Sequence, residues 1–291
     1  KECELEAQYI SARWIMSFAA GLMTDSDSLN DVYFDTTNVN GIVAHPMHGW
    51  ALCWKFILDK GPERYAKPPL REETIRGVHY KEYVVIHRPI RAGDSVSLKC
   101  RQVQALQKSK GCTITTKYDL YSKDGELLVT HWITDYMRGV NLSTVGGSIQ
   151  GLLPPSTEIP KRPKTPRFEE KLVIPANAAH VYTECARIWN PIHTNKDVAL
   201  KAGLPDVILH GTAHLSKAID RIVNRLGGAD PRRVKAVSCG AFGANVLMPS
   251  TVTLRVLSFA EGMVHFDLLN QQGQQAIRDG LVIFHPPSSK V

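Results

Sequence analysis

Two short stretches carry residues whose types and spacing could move a proton beside an activated carbonyl. They are Trp189-Asn190-Pro191-Ile192-His193 and, fifteen residues on, Ile208-Leu209-His210-Gly211. Pro191 biases Asn190 away from helical backbone, so the first stretch reads as a loop that ends a helix over 177–189. Thr194-Asn195-Lys196-Asp197 reads as a capping box for a short helix that Gly203 and Pro205 close. His193 is thus predicted in a tight loop held from both sides, and a fixed imidazole is what general acid–base chemistry requires. Gly211 opens an amphipathic run in which Leu215, Ala218, Ile219, Ile222, Val223 and Leu226 follow helical spacing. The first amides of a helix have no intrahelical acceptor, and its dipole favours negative charge there. A base and such an amide together can form an enolate from a thioester. Singly each signal is weak: Asn-Pro is a common turn dipeptide, and His210 could simply satisfy a backbone carbonyl. The combination carries the reading.

The elements that must position these residues come in two copies. Pro154, Pro155, Pro160, Pro163 and Pro166, mixed with Lys161, Arg162 and Lys164, form a stretch unfit for a helix interior or a central strand. It divides the chain into an N-terminal unit over 1–150, a linker over 151–167 and a C-terminal unit over 168–291. Ile42-Val43-Ala44-His45-Pro46 matches Val207-Ile208-Leu209-His210-Gly211 at an offset of 165. Ser95-Val96-Ser97-Leu98-Lys99 pairs with Thr251-Val252-Thr253-Leu254-Arg255. Tyr118-Asp119-Leu120 pairs with Phe266-Asp267-Leu268 and Gly125 with Gly273, both at an offset of 148. Matches in the same order argue for internal duplication. Each half reads as helix, loop, second helix, then long alternating segments. Thr113–Tyr121 and 127–137 form a hairpin about Lys123-Asp124-Gly125, and Val264–Leu269 with 277–284 repeats it. The helix from Trp50 to Leu58 is apolar nearly all round, which predicts full burial. The fold class is therefore α+β: a buried helix wrapped by an antiparallel sheet, present twice.

Composition narrows the partners. A chain of 291 residues with 43% hydrophobic and 22% charged residues is ordinary globular material, and no apolar run approaches the roughly 20 residues needed to span a bilayer. Six cysteines without C-x-x-C spacing point to a reducing compartment and no structural zinc. The polar, acidic first residues are unlike a signal peptide, so the cytoplasm is expected, or a peroxisome or mitochondrion if a targeting segment was trimmed. The net charge of +7 favours phosphorylated anions such as coenzyme A, or an acidic carrier protein. Lys and Arg are scattered without an aromatic–basic stripe, which argues against nucleic acid. Neither a nucleophile elbow nor a phosphate-binding loop is present. Gly240 to Gly243 reads as a bend between strands.

On these residues the chain resembles the MaoC-like dehydratases, the (R)-specific enoyl-CoA hydratase or hydratase 2 family. The resemblance covers nearly the whole chain, with 87–94 resembling the family's approach to its long strands. Its closest form is a eukaryotic type carrying Arg-Ile-Trp-Asn-Pro-Ile-His, seen in fungal proteins. The resemblance implies a double hotdog fold, no cofactor and no metal, an acyl-CoA or acyl-carrier-protein thioester as substrate, and room for a homodimer. It makes His193 the catalytic histidine, Asn190 the residue that shapes its loop, and the Gly211 amide the binder of the thioester carbonyl. His210, Ile188, Trp189, His45 and Trp50 are the expected substrate-binding residues, with core packing the simpler role for the tryptophans.

One position departs from the family. Its catalytic aspartate lies five residues before the histidine, where this chain has Ile188. Glu184, Asp25 or Asp27 are candidates to supply another carboxylate. Otherwise His193 works alone on a thioester with an acidic α-hydrogen, such as a polyketide-type intermediate, or the site binds an acyl chain without hydrating it. The first half has no Asn-Pro-x-His around Thr24 to Ser28, so it is expected to wall the pocket. The function read from the sequence is a lyase acting on an enoyl or 3-hydroxyacyl thioester. An isomerase or cyclase, or a non-catalytic acyl-binding subunit, is the alternative.

Overall fold

The computed structural model describes residues 2–23, 29–38, 41–60, 77–142 and 146–286. Each half begins with a strand that the sequence reading missed. β1 (Glu2–Tyr9) precedes helix α1 (Ala12–Ala20), a short α2 (Asp31–Phe34) and a central helix α3 (Gly49–Lys60). Strands β2 (Gly77–Ile86), β3 (Ser95–Lys108), β4 (Gly111–Ser122) and β5 (Leu127–Arg138) follow, with a two-residue β6 (Gly147–Ser148) paired to β3. The second half repeats the plan with β7 (Phe168–Ile174), α4 (Ala178–Ala186), α5 (Lys196–Lys201) and the central helix α6 (Gly211–Leu226). β8 (Val234–Phe242), β9 (Ser250–Ala260), β10 (Met263–Leu269) and β11 (Gln275–Phe284) complete it.

Among the described residues the strands join in one sheet of order β1-β3-β4-β5-β2-β8-β11-β10-β9-β7. Read from its two ends the order is the same, five strands of each half meeting where β2 pairs antiparallel with β8. Glu82 opposes Cys239 and Val85 opposes Ala236 across that seam. Alternation sets which face is buried: Val96, Leu98 and Cys100 point inward on β3 while Lys99 and Arg101 face water. α6 lays Leu215, Ala218, Ile219, Ile222 and Val223 into the concave side, each no more than 1% exposed. Each large apolar side chain so buried contributes about 1.5–3 kcal/mol. This is the double hotdog: two sheet-wrapped helices joined along one seam.

The linker lies over the outer face of the sheet. Trp132 Nε1 on β5 donates to the Leu152 carbonyl at 2.8 Å, and Tyr83 on β2 hydrogen-bonds Thr157 at 2.9 Å. Arg162 pairs with buried Asp267 on β10 at 2.6 Å. Three details differ from the sequence reading. α3 is not buried all round: Phe56 is fully buried, but Leu58 is 49% exposed. Gly240 does not bend the chain but lies within β8, where a Cβ would come within 2.8 Å of the Arg278 carbonyl. The helix expected over 177–189 ends at Ala186, because Arg187 takes the left-handed conformation (φ 58°) and its amide closes on the Thr183 carbonyl.

Candidate active site

The left-handed Arg187 turns the chain out of α4 and sends its guanidinium across to the first half, where it lies 4.2 Å from the ring centre of Trp14. Beyond it Ile188 is buried and extended backbone leads to Asn190. That residue caps a single 3-10 turn, Pro191–His193, with its side chain accepting the Ile192 N–H at 3.4 Å. The next helix is capped by Asn195, whose side chain accepts from the Val198 amide at 3.2 Å. The capping box expected at Thr194 is thus replaced by a simple asparagine cap one residue later. His193 is held between these two capped turns and is 8% exposed.

Its ring is fixed on two sides. Nδ1 lies 2.8 Å from the Ile208 carbonyl, which can only accept, so Nδ1 carries the proton and Nε2 presents a lone pair. The ring also stacks on His210 at 3.6 Å between centres and 26° between planes. His210 in turn has Nε2 at 3.3 Å from both the Ile188 carbonyl and the Thr183 hydroxyl. The two stretches found in the sequence therefore clasp each other: His193 is tied to the residue before Leu209, and His210 to the segment before Asn190. Tyr182 supports the clasp, edge-on to His210 at 5.0 Å with its hydroxyl donating to Thr212 at 3.2 Å. Burial pushes the His193 pKa down to about 4, the Ile208 hydrogen bond pulling the other way. Burial likewise holds His210 well below its ordinary value, with His193 adding to the effect. Both rings are neutral at physiological pH.

Gly211 is the first residue of α6, directly after His210. A Cβ there would stand 3.0 Å from the Phe242 ring, so glycine lets this helix start approach the end of β8 without displacing that ring. Phe242 faces His79 of β2 at 4.7 Å, and His79 stacks on Trp50 of α3 at 4.6 Å. The wall opposite Gly211 is therefore built partly by the first half. His79, Phe242, Tyr182 and Thr183 escaped the sequence reading because none belongs to a motif.

The other expected residues are scattered in role. Trp50 is buried within the aromatic row just described. Trp189 is 49% exposed, its indole 3.5 Å from Glu184. His45 is buried, with Nδ1 accepting the Met47 N–H at 3.0 Å. Its Nε2 lies 3.2 Å from Asp220, off hydrogen-bond geometry. Ile188 is 2% exposed within the core. Asp25 and Asp27 lie outside the described residues, and Glu184 turns to Trp189. Among the described residues no carboxylate forms a hydrogen bond or ion pair with His193. An open cleft lined by Tyr33, Lys217, Asp220 and Arg221 lies two to three turns further along α6, away from Gly211. No helix among the described residues is long and apolar enough to cross a membrane.

Residues 160–274, most of the second half, match the family model described as MaoC like domain. The chain is 26% identical over 286 residues to mouse peroxisomal multifunctional enzyme type 2, covering 97% of this chain and 37% of that protein. It is 28% identical over 207 residues to the peroxisomal enoyl-CoA hydratase 2 of Arabidopsis thaliana, covering 68% and 65%. It thus spans just over a third of the first relative and just under two thirds of the second. Among solved structures a MaoC-like dehydratase from Phytophthora capsici superposes with a TM-score of 0.81 at 20% identity, covering 99% of this chain and 96% of that one.

Proposed function

We propose that this protein hydrates or dehydrates an acyl thioester, interconverting a 2-enoyl and a 3-hydroxyacyl chain, with the chemistry confined to the second half. The observation that carries the reading is His193: its proton is committed at Nδ1 to the Ile208 carbonyl, which leaves Nε2 as a neutral, fixed base. The Gly211 amide at the start of α6 is the donor for the thioester carbonyl, strengthened by the helix dipole.

In the dehydration direction Nε2 takes the α-proton and the electron pair moves into the enolate held at Gly211. The enolate collapses to the α,β double bond as the C3–O bond breaks, and the imidazolium returns its proton to the leaving hydroxide, releasing water. One imidazole serves both transfers, so this route needs no carboxylate at position 188. Names of related proteins support an acyl-CoA substrate, and a peroxisome is the compartment they favour. The buried Ile188 favours a substrate whose α-hydrogen is already acidic, such as a polyketide-type acyl chain. That same residue supports a second reading, an acyl-thioester-binding unit without turnover.

The test is loss of the 2-enoyl-CoA absorbance with native protein and with His193→Ala. Hydration that falls by about 10²–10⁴ in a folded variant supports the lyase. Tight thioester binding with no turnover in the native protein supports the binding unit instead.

A further inference from the structure

His214 is the buried polar side chain that the reaction above does not use. It stands on α6 four residues after His210 and three after Gly211, so it shares their face of the helix one turn further in. It is 4% exposed, yet neither ring nitrogen has a hydrogen-bond partner. Its ring meets the edge of Phe242 at 5.9 Å, the same ring that lies against Gly211. Burial first, and then the nearby His193, push its pKa down to about 3, so it is neutral, with one N–H to give and one lone pair to accept.

A leucine or methionine would fill this space and satisfy the core. An imidazole with both nitrogens unpaired is costly there unless something outside the chain completes it. Among the described residues no second protein group lies within hydrogen-bond reach of either nitrogen. On the lyase reading, the acyl chain of a bound thioester runs along this helix face, one turn in from the amide that holds its carbonyl. Resting on the lyase reading, we infer that His214 determines specificity: it hydrogen-bonds an oxygen carried by the acyl chain, so that the site selects hydroxy- or oxo-substituted acyl thioesters over plain alkyl ones. A pocket that hydrogen-bonds a substrate oxygen discriminates far more strongly than one that only fits a methylene.

The experiment compares 2-hexenoyl-CoA with its 4-hydroxy, 5-hydroxy and 5-oxo counterparts, measuring both binding by calorimetry and kcat/KM. Native protein is expected to prefer at least one oxygenated member by about tenfold or more. His214→Leu should abolish that preference while keeping or improving use of 2-hexenoyl-CoA, and should raise the melting temperature. His214→Gln, which retains a donor and an acceptor, should keep part of the preference and guards against misfolding of the leucine variant. No preference in the native protein, or one that survives in His214→Leu, overturns the inference while leaving the lyase reading standing. Failure of every thioester to bind overturns both.

Discussion

The two halves share one fold and differ at the point where chemistry would occur. At the offset of 165, Pro46 stands where Gly211 stands and Gly49 where His214 stands. Proline has no amide hydrogen, so the first half lacks the donor proposed for the second half at Gly211. His45, the counterpart of His210, is turned to other work, accepting the Met47 amide and lying beside Asp220. The imidazole that fills the space beside Gly49 comes from the sheet instead: His131 Nε2 would stand 2.5 Å from a Cβ there, while its Nδ1 lies 2.9 Å from buried Glu82. What remains there is a shallow depression walled by Ala44, Pro46, Ile86 and Val129. The fold supplies a sheet-wrapped helix start twice, and one backbone N–H and one loop decide whether it can do chemistry.

The largest effect should come from erasing that difference. Gly211→Pro gives the second half the first half's donor-free start, at a helix position that tolerates proline. It should lower turnover by about 10²–10³. Gly211→Ala keeps the amide but crowds Phe242, so the gap between the two variants measures the amide itself. The converse, Pro46→Gly, should create no activity in a His193→Ala background, because at the offset of 165 the first half has Ser28 in place of His193.

A second change sharpens the contrast at position 188. Ile188→Asp restores the carboxylate of the family motif into a site that is 2% exposed. Without a cationic partner it should cost about 1–3 kcal/mol in denaturant unfolding at pH 7. A variant as stable as the native chain would mean that the loop already holds room and partners for the acid.

Both halves bury neutral imidazoles, which ties stability to pH in the same direction. Burial pushes His48 down to about 3, His193 to about 4 and His214 to about 3, from an ordinary 6.5. The unfolded chain therefore takes up protons first as the pH falls. The stability they confer is complete above about pH 6.5 and is lost as the pH drops toward 4 and 3. His48→Phe in the first half and His214→Leu in the second should each reduce the loss between pH 7 and 4 by about 1–3 kcal/mol. Equal pH dependence in the variants would mean that these rings reach water in the folded state. The smallest effect is expected at Asp220, a quarter exposed, to which Tyr33 donates at 3.3 Å. Asp220→Asn should shift stability by no more than about 1 kcal/mol.

Much of this asymmetry could be read from residue types alone. The matched segments Ile42–His45 and Val207–His210 and the paired strand motifs reveal a duplication because alternation and helical spacing survive divergence. Asn190, Pro191 and His193 are legible because a cap, a fixed φ and an imidazole leave strong local marks. What stayed hidden depends on tertiary neighbours. Phe242 and His79 sit on strands from different halves and meet only when β2 pairs with β8. His214 was overlooked within an amphipathic helix, although its spacing from Gly211 put it on the site's face. Arg187 ended α4 early because a left-handed arginine is held by a contact with Trp14, which no local propensity announces. β1 and β7 went unseen because each has one face turned to water and reads as polar.

The central claim is that Nε2 of His193 removes a proton next to a carbonyl held by Gly211. Solvent deuterium exchange at the α-carbon of a saturated acyl-CoA measures that step without requiring the true substrate. The account predicts exchange with the native protein, its loss in folded His193→Ala and its strong reduction in Gly211→Pro. Exchange that continues unchanged in His193→Ala would contradict it.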